Sequence, residues 1–217
     1  MVRRSLGLVL YVTGGLLLSF AGGRYAVGMV KADQARQAWD DSEAQEAVAL
    51  ARSVALHHGK REPLVTGAPV ARLIVPAMDL DDIVLEGVDG DELNAGPGHY
   101  PGSAFPGEPG NAIISAHRDR HFNHLDALNV GDTIVTESGT HRDTWVVVST
   151  RVIQKDDPAL FATKDATLTL TTCWPIRYLG PAPDRLIVTA KLRGEPGQRR
   201  GKGTTQVAES RRQASAS

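Results

Sequence analysis

The stretch Thr167-Leu168-Thr169-Leu170-Thr171-Thr172-Cys173-Trp174-Pro175 is an apolar, threonine-rich run that closes on a lone cysteine. Such a run between breaker residues reads as a β-strand. Working outward, runs of the same kind occupy residues 70–75, 83–88, 112–116, 133–137, 144–153 and 185–192, with Gly, Pro and Asp clusters between them. Short strands at close spacing predict an all-β barrel or sandwich. Val130-Gly131-Asp132 reads as a turn, and residues 121–128 as a short helix after the strand that leads to His117.

The chain has 217 residues, room for one domain with a real core, and its 5% aromatic content means a core of Val, Ile, Leu and Ala. A net charge of −1 provides no electrostatic footprint for nucleic acid, and there is no zinc finger or Gly-rich phosphate loop. Nucleic-acid binding is therefore excluded as the expected function. Residues 5–23 carry no charge. As a helix rising about 1.5 Å per residue they would reach roughly 28 Å, close to a bilayer's hydrocarbon core. Arg3 and Arg4 precede the run and favour an N-in, C-out orientation, which Arg24 and Lys31 weaken. The small residues Ala21-Gly22-Gly23 would suit signal cleavage, but the run exceeds the usual signal core, so a retained anchor is expected. No cysteine follows it closely, which excludes lipoprotein attachment.

Residues 32–58 are rich in Ala, Gln, Glu and Arg, with Trp39, Val48, Leu50 and Val54 at loosely helical intervals and Gly59 as a stop. They read as a weakly amphipathic helical spacer. Residues 194–217 are rich in Gly, Arg, Gln and Ser and are expected to be disordered. The expected organisation is thus an N-terminus and anchor at 1–31, a helical stalk at 32–69, a β domain at 70–193 and a tail at 194–217.

Three chemically distinct side chains fall at the ends of expected strands: His117, Cys173 and Arg185. A thiol of ordinary pKa is mostly protonated at neutral pH, so a nucleophilic cysteine needs a base or a positive charge beside it, and histidine supplies either. The same imidazole can then protonate a leaving amine. A guanidinium that never loses its proton is suited to holding a carbonyl oxygen on which charge gathers. Together they suggest acyl transfer. A single cysteine cannot form an internal disulfide, and an unpaired thiol in an exported protein is a liability unless it is used.

Each of these residues also has a plainer reading. Cys173 follows an apolar strand and could be a core residue; Arg185 could form a strand-edge ion pair with Asp184. His117, His121 and His124 have a spacing that would suit zinc on one helix face, although His117 ends a strand. His57, His58, His99 and His141 read as surface or loop residues. Asp79, Asp81 and Asp82 lack the glycine and distal glutamate of a calcium loop and read as turn residues.

The run 167–173, the following Pro175 and Arg185 twelve positions after the cysteine resemble the catalytic end of a sortase, a membrane-anchored cysteine transpeptidase. Gly96-Pro97-Gly98-His99-Tyr100-Pro101-Gly102, Pro106-Gly107-Glu108-Pro109-Gly110-Asn111, His117-Arg118-Asp119 and His121-Phe122 with Leu125 resemble the histidine half of class D sortases. The resemblance covers roughly residues 70–193; Trp174 departs from it. It implies a closed β-barrel of about eight short strands, preceded by a transmembrane helix and a helical stalk. It further implies that Cys173 attacks an LPXTG-like sorting signal near the C-terminus of a secreted protein and forms a thioester. An amine of peptidoglycan or of a pilin lysine would take the acyl group, His117 would shuttle the proton, and Arg185 would steady the carbonyl.

Thr172 and Trp174 would contact the substrate, as would Leu160 and Phe161 of the loop 154–165. That mechanism needs no metal or organic cofactor, and membrane lipid would surround the anchor. The expectation of another class is an envelope assembly module that is non-catalytic, or one that binds metal through His117, His121 and His124.

Overall fold

The computed structural model describes residues 2–41, 46, 64–139, 141–155 and 163–194, and of residues 2–9 only the backbone. Eight strands form one closed barrel: β1 (Pro69–Val75), β2 (Leu80–Glu86), β3 (Gly98–His99), β4 (Asn111–Ser115), β5 (Thr133–Ser138), β6 (His141–Gln154), β7 (Thr167–Trp174) and β8 (Asp184–Leu192). Their order around the barrel is β1-β2-β3-β4-β7-β8-β6-β5, and antiparallel pairing of β1 with β5 closes it. Closure removes free sheet edges. The helices are few: α1 (Val2–Asp40), α2 (Gly90–Ala95) and 3-10 turns at Pro76–Met78 and Leu125–Ala127.

The interior follows from strand alternation. Leu73, Val75, Val84, Ile114, Ile134, Val147, Leu168, Leu170 and Val188 meet in one buried cluster, the expected aliphatic core. Phe105, Phe122 and Trp145 are its aromatic members, and the Trp145 Nε1–H donates to Thr136 Oγ1 at 2.9 Å, so the indole is buried without an orphaned donor. The expected turn at 130–132 is present. Gly131 has φ +101°, and Asp132 Oδ2 accepts the Asn129 amide at 2.8 Å. The expected helix over 121–128 is instead a series of turns ending in the 3-10 segment.

Three strands, β2, β3 and β6, differ from the sequence reading, and of these β6 begins at His141 rather than at 144. β2 begins at Leu80, so Asp81 and Asp82 belong to a strand; only Asp79, with φ +52°, serves the turn. Charges on the outer face explain how two aspartates are accommodated, since Arg72 donates to both Asp81 oxygens at 2.7 and 2.6 Å. β3 is only two residues long and gives no periodic signal. Its Gly98 backbone passes so close to β2 that a Cβ there would meet the Gly87 carbonyl oxygen at 2.1 Å.

His99, read above as a surface or loop residue, is corrected by the structure: it lies on β3 and is 1% exposed. It is level with Glu86 in the β2–β3 register, and its Nδ1 is 2.6 Å from Glu86 Oε2. Its Nε2 is 3.0 Å from both Ser103 Oγ and the Ala104 carbonyl, and Phe105 stacks on the ring at 5.3 Å. Where two-residue pairing leaves the barrel thinnest, a buried side-chain network completes the seam. His141 opens β6, whereas His57 and His58 lie outside the described residues.

Helix α1 runs unbroken from the uncharged stretch to Asp40, across the expected boundary between anchor and stalk. The expected transmembrane helix is not found: among the described residues no helix is long and apolar enough to cross a membrane. Arg24 and Lys31 interrupt the apolar sequence after residue 23. The segment near residue 39 also differs from the expected spacer, because Trp39 is 3% exposed and packs with Ile83, Leu85, Ala95 and Ala35. The remainder of the expected stalk to residue 63, apart from Glu46, and the tail from 195 lie outside the described residues.

Candidate active site

The site is assembled by register across three neighbouring strands. β4 and β7 run parallel, with Ser115 level with Thr171. The Ala116 amide donates to the Thr171 carbonyl at 3.2 Å, and Thr172 Oγ1 donates to the Ala116 carbonyl at 2.7 Å. The β4–β7 register ends at Ser115 and Thr171, and His117 lies two residues beyond it. On the other side of β7, Cys173 and Arg185 are direct antiparallel partners. His117 and the Cys173–Arg185 pair therefore both follow the same end of the β4–β7 ladder. Opposed residues of an antiparallel pair share a sheet face, so Cys173 and Arg185 project from the same side.

All three are half-buried. Cys173 is a free cysteine on the last turn of the pleat before Pro175, beyond the fully buried part of β7, so the plainer core reading does not describe its position. Among the described residues neither its side chain nor the His117 ring has a hydrogen-bond partner. Burial, the largest influence, pushes the His117 pKa below the ordinary value of 6.5; Asp119 opposes the shift, and Arg120 and His121 add to it. An imidazole held in this way is neutral at neutral pH and can accept a proton. The Arg185 guanidinium donates at 3.0 Å to the main-chain carbonyl of Asp184 rather than pairing with that residue's carboxylate.

The remaining expected site residues divide. Thr172 is buried and ties β7 to the histidine loop, a structural bond between the two halves of the site. Trp174 is half-buried against the barrel core. Leu160 and Phe161 lie outside the described residues. His121 does not converge with His117 and His124 on a metal position. Its Nδ1 is 2.7 Å from Asp82 Oδ2, and among the described residues no group of His, Cys, Asp or Glu is arranged to hold a metal ion.

Arg118 was not singled out by sequence reasoning. It donates to the carbonyls of Pro175 at 2.9 Å and Gly180 at 2.7 Å, and its guanidinium lies 5.7 Å from the Tyr178 ring centroid. It thereby links the loop bearing His117 to the β7–β8 connection that follows Cys173. Its place directly after His117 was the one available signal; the partners are 57 and 62 residues away.

Comparison with known proteins agrees with this geometry. The family model described as Sortase domain matches residues 73–193. Sortase D of Bacillus subtilis (strain 168) is 34% identical over 128 residues, covering 58% of this chain and 65% of that protein's length. The catalytic domain of the B. anthracis class D sortase is similar at 32% identity with a TM-score of 0.53, over 64% of this chain and 96% of that one. The Clostridium perfringens Sortase D5 transpeptidase shares the fold with a TM-score of 0.60 at 24% identity, over 78% of this chain and 99% of that one. With its family match spanning more than half of its length, the chain belongs to the sortase family of cysteine transpeptidases and is most like class D.

Proposed function

We propose that this protein cleaves an LPXTG-like sorting signal in secreted proteins and transfers the acyl fragment to an amine, with Cys173 as nucleophile, His117 as proton carrier and Arg185 as carbonyl anchor. The observation that supports this reading is the direct pairing of Cys173 with Arg185 across β7 and β8, with the segment that leads to His117 hydrogen-bonded to β7 through Ala116. The Cys173 sulfur attacks the carbonyl carbon of the Thr–Gly bond, and the carbon–nitrogen bond breaks. His117 delivers a proton to the departing amine, leaving a thioester. An acceptor amine then attacks that thioester, gives its proton to His117 and expels the thiolate. Arg185 stabilises the oxygen that becomes negative in both addition steps.

The acceptor is an amine of peptidoglycan or a pilin lysine, and the enzyme acts outside the cytoplasmic membrane. Its anchor is the uncharged run at residues 5–23. The side chains of Leu10, Leu16, Leu17, Leu18 and Phe20 along α1 are exposed, which supports a lipid contact for that part of the helix. Trp174, Leu160 and Phe161 are the proposed substrate contacts, while Thr172, expected above as one, is buried and ties the two halves of the site together.

The test is incubation of the protein with a panel of LPXTG-type peptides and a small amine, followed by mass analysis of the products. Amine-exchanged peptide that is absent with Cys173→Ala is the expected result. An intact, folded enzyme with a free thiol that turns over none of the panel would favour the non-catalytic module.

A further inference from the structure

The loop 116–124 carries His117 between two sets of supports. On the side of the cysteine it is held by Arg118, as described. On the opposite side it is held by helix α1. The Arg120 guanidinium lies 4.7 Å from the ring centroid of Tyr25 on α1 and donates to the Asn94 carbonyl of α2 at 2.6 Å. One residue further, His121 Nδ1 is 2.7 Å from Asp82 Oδ2, while Arg36 of α1 donates to Asp82 Oδ1 at 2.7 Å and to the Asp81 carbonyl at 2.6 Å. Asp82 is the hinge of this set. Burial alone would raise its pKa, but hydrogen bonds and charge from His121 and Arg36 outweigh burial and hold it below the ordinary value, so it bridges them as a carboxylate.

These contacts depend on an unusually close approach of α1. Gly28 is buried, and a Cβ on it would lie 2.5 Å from the Asn94 carbonyl oxygen and 3.0 Å from an Arg120 guanidinium nitrogen. Between the two polar anchors the helix and the loop do not pack solidly. A groove of about 630 Å³ separates them, lined by Met29 and Ala32 of α1 and by Asp119, Arg120 and His124 of the loop. The coupling is thus concentrated in a few polar contacts that single substitutions can cut.

We infer that α1 positions the histidine: Arg36 and Asp82, acting through His121, and Tyr25, acting through Arg120, hold the 116–124 loop that carries His117. These are positioning residues, and the inference rests on the proposed role of His117. Precise placement of a reacting group is worth large factors in rate, while substrate affinity depends on other contacts. Because α1 is continuous with residues 5–23, the seat of that run and the support of the histidine are parts of one helix.

The full chain in nanodiscs tests this with Arg36→Ala, Asp82→Ala and Gly28→Val, the last lifting the helix without altering a charge. Each variant is expected to lower kcat about tenfold, with KM for the sorting peptide within about twofold. Arg36→Lys should recover most of the loss. Arg36→Ala added to Asp82→Ala should cost little more, as for two members of one network.

A second readout is the titration of the His117 imidazole by NMR on histidine-labelled protein. The charged and titratable groups that act on the ring are Asp119, Arg120 and His121 on its own loop. Releasing the loop hydrates the ring, so its midpoint should move up toward the ordinary value in all three variants. Variants that melt earlier but keep both kcat and the His117 midpoint unchanged would overturn the inference. The titration requires no substrate, so it decides the positioning role even if the wild-type protein exchanges no peptide; that failure would count against the proposed function alone.

Discussion

His99 and His117 differ in how completely their surroundings use them. His99 is 1% exposed, with Glu86 at one ring nitrogen, Ser103 and the Ala104 carbonyl at the other, and Phe105 on its face. His117 is half-buried, and its ring has no hydrogen-bond partner among the described residues. A saturated imidazole holds two strands together and is not available to a reactant. An unsaturated one at a strand end can exchange a proton with whatever binds there. Both belong to sequence segments that resemble the same enzyme family, yet only their surroundings separate the structural histidine from the one proposed to carry the proton.

The sharpest way to break that comparison is to remove each ring in turn. His117→Ala should lower kcat/KM by about 10²–10⁴-fold while leaving thermal unfolding nearly unchanged, as loss of a proton carrier does. His99→Ala should do the reverse. It strands the buried Glu86 carboxylate and is expected to cost about 3–5 kcal/mol of stability, measured by denaturant unfolding, while activity per folded molecule is retained. Equal effects of the two substitutions on rate and stability would erase the distinction. Arg185→Lys comes next. A flexible point charge does not reproduce a planar fork, so activity should fall about tenfold or more with the fold intact. Near-normal turnover would remove Arg185 from the mechanism.

A smaller effect concerns pH. Because burial lowers the His117 pKa, the folded protein binds fewer protons than the unfolded chain between that lowered value and about 6.5. The His117 contribution to stability should therefore fall as pH drops through this interval. Relative to His117→Gln, which carries no titrating ring, wild type should lose melting temperature as the pH drops through this interval, and a relative gain would reverse the assigned sign. The smallest expected effect on the chemical step is from exchanging residues 154–165 for the equivalent loop of another sortase. That exchange should change which sorting peptide is preferred more than it changes the acylation rate, and an unchanged preference would place recognition elsewhere.

The strands that carry the site were legible because each is long enough to show its composition. Residues 167–172 and 185–192 were read within a residue or two of β7 and β8, and these place the cysteine and the arginine. β3 was not legible, because two residues have no period and Gly98-His99 owes its strand geometry to its neighbours. For the same reason His99 looked like a loop residue: its partners Glu86 and Phe105 are brought to it by tertiary structure. Arg118 and the Arg36–Asp82–His121 set were hidden by distance. Nothing local in a sequence says that an arginine on the N-terminal helix will meet an aspartate 46 positions away. The start of β2 was missed because two adjacent aspartates read as a turn, whereas Arg72 and Arg36 allow them to stand on a strand.

The central claim is that Cys173 becomes acylated with help from His117 at the shared end of β4 and β7. The most direct measurement is intact-mass and peptide-level mass spectrometry of the full chain mixed with a sorting peptide and quenched before turnover. The account predicts an acyl adduct on Cys173 that hydroxylamine removes, that is missing in Cys173→Ala and that forms far more slowly in His117→Ala. Peptide cleavage that persists in Cys173→Ala would contradict it.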